Sequence, residues 1–406
     1  MGRGNLRVSI IEEGAIFMYQ IKTLNKISAA GLKTLDAKTY TVSDSVDSPD
    51  GILVRSADML EYQFPESLRA IARAGAGTNN IPIQRCSEEG IVVFNTPGAN
   101  ANAVKELVVC ALMMASRKIV QGSKWVDEQI AAGIDITEVV EKGKGAFVGP
   151  EIMGKTLGVV GLGAIGVQVA NIATKLGMNV IGYDPFLSVH SALSLSRAVQ
   201  VTNQLDPVLR SADYITIHVP QNKDTKGMIN AAAITKMQDG VHIVNMARGG
   251  LVNEEDLIAA LKSGKVASYV TDFPSNAIAA APNTICIPHL GASTPESEDN
   301  CAVMAAQELR DYLESGVIHN SVNFPDADLP WTGAARLCVI HRNSPGLLNS
   351  ITGVLSQEKI NVENLTNKSK GEYAYTIVDI GAAVGDKELT AIRAIEGVIR
   401  VRYLTR

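Results

Sequence analysis

A glycine-rich turn between an apolar run and a helical pattern constrains this 406-residue chain more than any other feature. The apolar run Gly158–Val160 leads directly into Gly161-Leu162-Gly163-Ala164-Ile165-Gly166. Gly161 permits a tight turn, Gly163 lets a pyrophosphate approach the backbone, and Gly166 lets a helix pack closely on the strand. The helix that follows would direct its free N–H groups and its positive dipole end at those phosphates. The pattern predicts a strand–turn–helix unit that binds a dinucleotide.

The second strand of this unit, Asn179–Tyr183, ends at Asp184, which is the spacing that dinucleotide-binding units use. A carboxylate at this position accepts hydrogen bonds from the adenosine ribose and repels a 2′-phosphate, so NAD is favoured over NADP. The alternative is a glycine turn in an unrelated α/β protein, with Asp184 as an ordinary turn residue before Pro185.

Strand and helix patterns alternate throughout residues 101–294. A long helix is predicted from Ala103 to about Gln121, and apolar strands are predicted at Leu157–Val160, Asn179–Tyr183, Tyr214–Val219, His242–Asn245, Ala267–Val270 and Thr284–Ile287. Nearly continuous apolar strands separated by helices are typical of a parallel sheet that is covered on both faces.

The flanking regions have other patterns. Gly51–Val54 and Ile91–Phe94 are predicted strands, Leu68–Ala74 fits either helix or strand, and the first 15 residues are left open. Pro295–Ser315 is predicted as an amphipathic helix. The polar segment Pro325–Pro330 is predicted as a linker that its two prolines stiffen. About seventy residues with a βαββαβ pattern follow it, with strands at Leu337–His341, Ala374–Ile380 and Ile399–Leu404 and helices at Leu347–Gln357 and Asp386–Ile395.

Composition excludes several classes of protein. The formal net charge of -5 gives no basic surface for nucleic acid or an anionic membrane. No apolar run is long enough to span a bilayer, and the N-terminus lacks a signal-peptide pattern. Five scattered cysteines without a CxxC suit buried thiols in a reducing cytoplasm better than disulfides or a metal site.

Arg248 and His289 each lie just after a predicted buried strand, in Asn245–Gly250 and Pro288–Thr294. A guanidinium can hold a carboxylate through two hydrogen bonds, and an imidazole can move a proton near neutral pH. The pair therefore suits chemistry on a hydroxy or keto acid. The alternatives are a sheet-end ion pair for Arg248 and a packed turn residue for His289.

Several motifs together resemble a known family. The segments Gly161–Gly166, Asn245–Gly250 and Pro288–Thr294, in this order, resemble the D-isomer-specific 2-hydroxyacid dehydrogenases. Val54–Ser56, Arg73–Asn80 and Asn95–Asn100 are similar to the segments of phosphoglycerate-oxidising members. Cys338–Leu347 resembles the opening of an ACT domain, the regulatory module of many such enzymes.

The resemblance implies an α/β fold of two Rossmann-like domains and a small α+β ACT-like module. The substrate-binding domain would be discontinuous, from residues 1–100 and 295–324, and the NAD-binding domain would be residues 101–294, with the active site in the cleft. A linker at 325–333 would lead to the ACT-like domain at 334–406.

The resemblance also implies a reaction and its residues. The reaction is oxidation of 3-phospho-D-glycerate to 3-phosphohydroxypyruvate, with Arg248 holding the carboxylate and His289 taking the hydroxyl proton. Arg55, Ser56, Gly77 and Asn100 would contact the substrate. The positions that would line the NAD are Gly161, Gly163, Ala164, Ile165, Gly166, Asp184, Val219, Pro220, Thr225, Ala247, Asp272 and Gly291, with Asp272 near the nicotinamide carboxamide.

One residue departs from the family pattern. The family usually has a glutamate that bonds the catalytic histidine and stabilises its charged form. Here Asp272–Asn276 is one residue shorter than that pattern, and Asn276 stands in the place of the glutamate. We therefore expect keto-acid reduction to weaken at a lower pH than in relatives. The alternatives are that Asp272 or another carboxylate takes over the role, or that activity is simply reduced.

The ACT-like module implies a regulatory ligand and further assembly. Its expected effector is L-serine, with His341 and Asn343 in the ligand loop and Asn361 offered by a facing module. The alternative is a dimerisation module that binds no ligand. The family expectation is a homodimer or homotetramer.

Two other functions stay open. A dehydrogenase of another D-2-hydroxy acid, such as glycerate, lactate or 2-hydroxyglutarate, would share all the motifs above. An NAD-sensing scaffold or corepressor could use the same fold with weak activity, and the substitution at Asn276 keeps this reading open.

Overall fold

The computed structural model describes residues 18–405, so the first 15 residues lie outside the described part. The chain divides into two compact units. One contains the chain up to Ala99 and from Glu298 onward, and the other is Asn100–Ser297. No helix among the described residues is long and apolar enough to cross a membrane.

The first unit begins with a five-stranded parallel sheet in the order β2-β1-β3-β4-β5. Its elements are β1 (Tyr19–Leu24), α1 (Ala29–Leu32), β2 (Tyr40–Ser43), β3 (Gly51–Val54), β4 (Ala70–Arg73), α2 (Ile83–Glu88) and β5 (Val92–Phe94). The segment Leu68–Ala74, which fitted either helix or strand, contains β4. Its alanines and Ile71 are buried between two layers, as in a strand covered on both faces.

The second unit is a seven-stranded parallel sheet in the order β12-β11-β10-β9-β6-β7-β8. Its elements are α3 (Ala101–Arg117), α4 (Ile119–Ala131), α5 (Ile136–Gly143), β6 (Thr156–Val160), α6 (Ala164–Lys175), β7 (Asn179–Tyr183), α7 (Val189–Ser194), β8 (Val199–Thr202), α8 (Leu205–Ser211), β9 (Tyr214–Ile217), α9 (Ala231–Lys236), β10 (Val241–Asn245), α10 (Glu254–Ser263), β11 (Val266–Thr271), α11 (Asn276–Ala279) and β12 (Thr284–Cys286).

One prediction for this unit was wrong in detail, and one strand was missed. The helix predicted to about Gln121 ends at Arg117, because Lys118 adopts a left-handed conformation with φ of 46° and starts the separate helix α4. Strand β8 was missed. It is an edge strand of the sheet, where Gln200 and Val201 are exposed. The strand therefore lacks the continuous apolar run that predicted its neighbours.

Helix α12 (Pro295–Ser315) follows the sequence prediction to the residue. Its apolar stripe covers the first sheet, where Ala302, Ala306 and Leu309 share one buried cluster with Ile21 and Leu53. Apolar residues spaced three and four positions apart on the helix therefore form the face that packs on the sheet.

The C-terminal module has the predicted βαββαβ order. Its elements are β13 (Ala335–Arg342), α13 (Leu347–Gln357), β14 (Val362–Lys370), β15 (Tyr373–Ile380), α14 (Asp386–Arg393) and β16 (Val398–Thr405). The four strands form an antiparallel sheet in the order β14-β15-β13-β16. Two Rossmann-like parallel sheets followed by a small antiparallel α+β module confirm the predicted fold class.

The segment Pro325–Pro330, predicted as a stiff polar linker, alternates buried and exposed residues. Ala327 and Leu329 are buried, and Ala327 exchanges backbone hydrogen bonds with Ile318. Fully buried Arg336 donates to Leu329 O at 2.7 Å and to Ser315 O at 2.9 Å. The apolar side chains of the segment therefore pack into the first unit, while Asp326 and Asp328 are exposed.

A buried ion pair organises this junction. The Nε and Nη2 atoms of Arg336 donate to the two carboxylate oxygens of Asp379 at 2.6 and 2.9 Å, and both side chains are almost fully excluded from solvent. On β16, Arg402 donates to the carbonyl oxygens of Tyr312 and Leu313 at the end of α12. The module is thus held to α12 by charge-assisted hydrogen bonds.

Candidate active site

The glycine turn after β6 has the shape that its sequence predicts. Gly161 has φ of 96°, a conformation that favours glycine. A Cβ on Gly166 would lie 1.9 Å from Gly161 O, so only glycine fits there. A Cβ on Gly163 would meet open space, which leaves room for a ligand against the backbone. Gly163 precedes α6, so the first N–H groups of that twelve-residue helix, at Ala164 and Ile165, adjoin this space.

Asp184 at the end of β7 is held rigidly beside the turn. Its Oδ2 accepts from Leu162 N–H at 2.9 Å, and its Oδ1 accepts from Phe186 N–H at 2.8 Å. Each carboxylate oxygen retains a free lone pair for a ribose hydroxyl. These acceptors, the open space at Gly163 and the helix end fit an NAD molecule.

The remaining predicted cofactor positions follow the carboxyl ends of β9, β10, β11 and β12. Val219 and Pro220 lie just after β9, and the Thr225 hydroxyl donates to Pro220 O at 2.6 Å. Ala247 lies after β10. This edge of a parallel sheet is where open α/β folds bind ligands.

Arg248 lies on a short loop that a buried asparagine braces. Asn245 donates to Arg248 O at 2.9 Å and accepts from Ala247 N–H at 3.1 Å. The Arg248 side chain is exposed, and its Nη1 donates to Ala247 O at 2.6 Å. Asn245 belongs to the motif Asn245–Gly250, but the sequence predicts no role for it. Its hydrogen bonds within the loop depend on the loop's conformation, which the residue pattern does not specify.

His289 lies in a strained turn after β12. Its φ of 37° is rare for a residue with a side chain, and its N–H donates to Asp272 O at 2.9 Å. The imidazole is exposed. An exposed imidazole fixed by its own backbone can exchange a proton with a bound substrate.

Phe273 contacts both predicted catalytic side chains. Its ring centre lies 4.4 Å from that of His289 and 5.7 Å from the guanidinium carbon of Arg248. The structure therefore brings Arg248 and His289 to the same aromatic ring. Phe273 was missed as a site residue, since a phenylalanine after a strand is more often part of a core.

Asp272 is buried beneath this cluster. Its Oδ2 accepts from Gly291 N–H at 3.0 Å, and its Oδ1 is buried with no hydrogen-bond partner among the described residues. Burial raises the pKa of Asp272, whereas the Gly291 hydrogen bond and the charges of His289 and Arg248 lower it. The unsatisfied oxygen fits a donor such as the carboxamide predicted for this position.

Asn276 is the exposed first residue of α11. Among the described residues, no hydrogen bond joins its side chain to His289. The neighbouring Ser275 instead donates its hydroxyl to Glu254 at 2.7 Å. In this conformation, Asn276 does not orient the imidazole.

The substrate residues predicted in the first unit lie after β3 and β4. Arg55 forms an ion pair with Glu298 of α12 at 2.7 Å, and Ser56 N–H donates to Asn25 at 3.1 Å. Gly77 lies in a loop that Asn95 holds by donating to Ala76 O. Glu298 was missed, because 243 residues separate it from Arg55. In the second unit, Asn100 precedes α3 without making a side-chain cap bond.

Two other histidines are structural. Burial lowers the pKa of His218 to about 3 and is the main cause of the fall in the pKa of His242 to about 4. Their rings bond Thr216 and Ser268. Neither joins the cluster around Phe273.

The C-terminal module contains a separate pocket of about 460 Å³ between β13, β14 and α13. Predicted residues His341 and Asn343 line it, together with Ser344, Gly346, Leu348, Asn349, Thr352, Leu365 and Asn367. Asn361 is not in this lining. It is exposed before the edge strand β14 and donates to Glu363 at 2.9 Å.

Known proteins are similar in sequence to this chain over most of its length. Residues 109–291 match the family described as D-isomer specific 2-hydroxyacid dehydrogenase, NAD binding domain. Residues 337–400 match the AHAS small subunit-like ACT domain. D-3-phosphoglycerate dehydrogenase of Escherichia coli (strain K12) is 31% identical, covering 94% of this chain and 95% of that protein. The enzyme of the same name from Archaeoglobus fulgidus is 37% identical over 69% of this chain and 52% of its own.

Solved structures resemble about three quarters of this chain. The NAD⁺-bound 3-phosphoglycerate dehydrogenase of Entamoeba histolytica has a TM-score of 0.59 and 27% identity, and covers 75% of this chain and 99% of its own. A glyoxylate reductase from Paecilomyes thermophila has a TM-score of 0.62 and 26% identity, and covers 75% of this chain and 98% of its own.

Proposed function

Because the chain belongs to the D-isomer-specific 2-hydroxyacid dehydrogenase family, we propose that it oxidises 3-phospho-D-glycerate to 3-phosphohydroxypyruvate, the first step of L-serine biosynthesis. The similarity to D-3-phosphoglycerate dehydrogenase over 94% of the chain carries this choice of substrate. The cluster of Arg248, His289 and Asp272 supplies the chemistry that such a reaction needs.

Each of these side chains would have one role in the reaction. Arg248 holds the carboxylate and polarises the reacting oxygen through paired hydrogen bonds. His289 takes the proton of the C2 hydroxyl as the C2 hydride leaves, and it returns that proton in the reverse direction. When bound, NAD accepts the hydride. Buried Asp272 directs its free oxygen at a donor next to the reacting carbon. Arg55 binds an anionic group of the substrate.

A comparison of substrates tests this proposal. We expect NADH formation from 3-phospho-D-glycerate with kcat/KM at least tenfold above that for D-glycerate or D-2-hydroxyglutarate. The expectation rests on the phosphate, because a charged hydrogen bond is worth about 1.5–3 kcal/mol, or roughly tenfold or more. Preference for an unphosphorylated acid would assign the chain to another D-2-hydroxy acid.

Restoring the missing glutamate should change the pH dependence. In Asn276→Glu, the new side chain is one methylene longer than asparagine and ends in a carboxylate. This carboxylate would approach His289 and favour the charged form of the imidazole. Keto-acid reduction uses that form, so we expect the pH at which reduction declines to rise by roughly one unit. The measurement is the pH–rate profile of 3-phosphohydroxypyruvate reduction, with Asn276→Gln as the uncharged control. Profiles that coincide in all three proteins would reject this role.

We further propose that the pocket of the C-terminal module binds L-serine as a feedback effector. Its support is a set of neutral polar groups, including Asn343 and Ser344, that matches the hydrogen-bonding groups of a small amino acid. Calorimetry should detect L-serine binding to the parent and at least tenfold weaker binding to Asn343→Ala. An absence of heat with the parent would leave the module as a dimerisation element.

We propose that α4 and α5 bind a second copy of the chain. Neither helix has a buried residue, and Ile119, Ile130 and Val140 are exposed, which is unusual for apolar side chains so close together in sequence. Pairing of two copies would cover them, giving a homodimer, and pairing through edge strand β14 would give a homotetramer. Light scattering that shows a monomer would contradict this assembly.

A further inference from the structure

The imidazole of His289 is held by packing rather than by a hydrogen bond. No hydrogen bond among the described residues joins either of its ring nitrogens to a partner, and Asn276, in the place of the family's glutamate, is exposed. The bond from His289 N–H to Asp272 O fixes the backbone of the turn, but it does not fix the side-chain torsions. An imidazole that transfers a proton needs a fixed direction, because a small misplacement of a reacting group slows the reaction severely.

The ring of Phe273 lies directly against this imidazole. The two ring centres are 4.4 Å apart and their planes are tilted by 46°, which is a close aromatic contact. Phe273 follows β11 and His289 follows β12, and these two strands are paired. The ring therefore limits rotation of the imidazole and leaves both of its nitrogens without a hydrogen bond, so that they can bond a substrate and water.

The backbone of Phe273 is fixed by the strand that precedes it. Its N–H donates to Thr271 Oγ1 at 3.0 Å, and this buried hydroxyl donates to Asn245 O at 3.0 Å. Asn245 in turn donates to Arg248 O and braces the arginine loop. A continuous set of hydrogen bonds thus joins the backbone of Phe273 to that of Arg248. None of these bonds uses the Phe273 ring, so a substitution that removes the ring can leave them in place.

The ring contacts His289 more closely than it contacts Arg248. The guanidinium carbon of Arg248 is 5.7 Å from the ring centre, near the limit of about 6 Å for an attractive contact between a cation and a ring. The closer imidazole gains a positive charge when it takes the substrate proton, and the electron-rich ring attracts that charge. Loss of the ring should therefore disturb proton transfer more than carboxylate binding.

We propose that Phe273 is a positioning residue whose ring holds the His289 imidazole in the direction from which it takes the substrate proton. In the family pattern, a carboxylate has this role. A leucine at position 273 would fill most of the same space but would present no flat, electron-rich face to the imidazole. The inference rests on the proposed reaction and adds to it a residue that contacts the catalytic histidine.

The ring contact can be tested without substrate. In full-length protein labelled with ¹³C-histidine, the imidazole C–H signals of His289 are assigned by their loss in His289→Asn. An aromatic ring shifts the signals of protons beside it, so these signals should move in Phe273→Leu and stay near their parent positions in Phe273→Tyr. Signals that coincide in the parent and in Phe273→Leu overturn the proposal.

Steady-state kinetics with 3-phospho-D-glycerate and NAD tests the role of the contact. Phe273→Leu should lower kcat by about tenfold or more, because the imidazole loses its fixed direction. The rise in KM should be smaller than the fall in kcat, and NAD affinity should be unchanged. Phe273→Tyr keeps the ring and should retain most of the parent kcat.

Phe64 provides a matched control in the first unit. It is half-buried like Phe273, and the guanidinium carbon of Arg85 lies 4.3 Å from its ring centre. Phe64→Leu should keep the parent kcat and the parent His289 signals. A parent kcat in Phe273→Leu, or an equal loss in Phe273→Tyr, overturns the role of the ring and leaves the proposed reaction intact. A parent protein that forms no NADH from any D-2-hydroxy acid overturns the reaction and this role together.

Discussion

Replacing His289 with asparagine is expected to lower kcat for NADH formation from 3-phospho-D-glycerate by roughly 10²–10⁴-fold, the usual contribution of a positioned acid–base group. Asparagine retains a polar side chain at this position but cannot take the proton of the hydroxyl. NAD binding should be unchanged, because the glycine turn and Asp184 are separate from the His289 turn along the sheet edge. Stopped-flow absorbance of NADH measures the rate. Titration with NAD, followed by the tryptophan fluorescence of the protein, measures cofactor binding.

A matched histidine provides the control. His319 is about half exposed and lies 3.7 Å from Asp328, and it is not one of the residues proposed to be catalytic. His319→Asn should therefore retain the parent rate. Arg248→Lys keeps the charge but loses the two-pronged geometry, so it should raise KM as well as lower kcat. If His289→Asn keeps a rate comparable to the parent, another group transfers the proton.

Replacing Arg336 with methionine is expected to have the largest effect on stability. The change leaves the Asp379 carboxylate buried without its partner and removes the donors to Ser315 O and Leu329 O. Breaking a buried pair by removing one partner costs about 3–5 kcal/mol. The Arg336 guanidinium lies 4.8 Å from the ring centre of Trp331, so tryptophan fluorescence during urea unfolding reports on this region.

Two further variants separate charge burial from simple loss of packing. Arg336→Met combined with Asp379→Leu removes both charges, and this double variant should be more stable than Arg336→Met alone. Arg342→Met breaks an exposed pair with Glu372 and should leave the urea midpoint unchanged. Because Trp125 also fluoresces, all of these variants are best compared in a Trp125→Phe background. Equal midpoints for Arg336→Met and Arg342→Met would show that the buried pair does not hold the module.

The sequence predicted the parts of the fold that local pattern determines. A strand buried on both faces, such as Gly51–Val54, is a continuous apolar run, so its bounds were correct. Helix α12 was bounded correctly because Pro295 begins it and an apolar stripe runs to its end. The glycine turn was predictable because the close approach of Gly166 to Gly161 tolerates no side chain.

Other features depend on partners that are distant in sequence. The pairing of Arg55 with Glu298, the burial of Arg336 against Asp379 and the bond from His341 to Thr376 all join separate elements. A sequence pattern contains the residue types of such pairs but not their adjacency. The contact of Phe273 with His289 and Arg248 depends on the shape of two turns, which the strand pattern does not specify.

The most direct test of the proposed activity is a single-turnover reaction with enzyme in excess over 3-phospho-D-glycerate, in the presence of NAD and a trap for the keto acid. We predict NADH absorbance equal to the substrate added, at a rate that falls when His289 is changed to asparagine. Binding of NAD without NADH formation from this or any other D-2-hydroxy acid would contradict the proposed activity and favour an NAD-sensing scaffold.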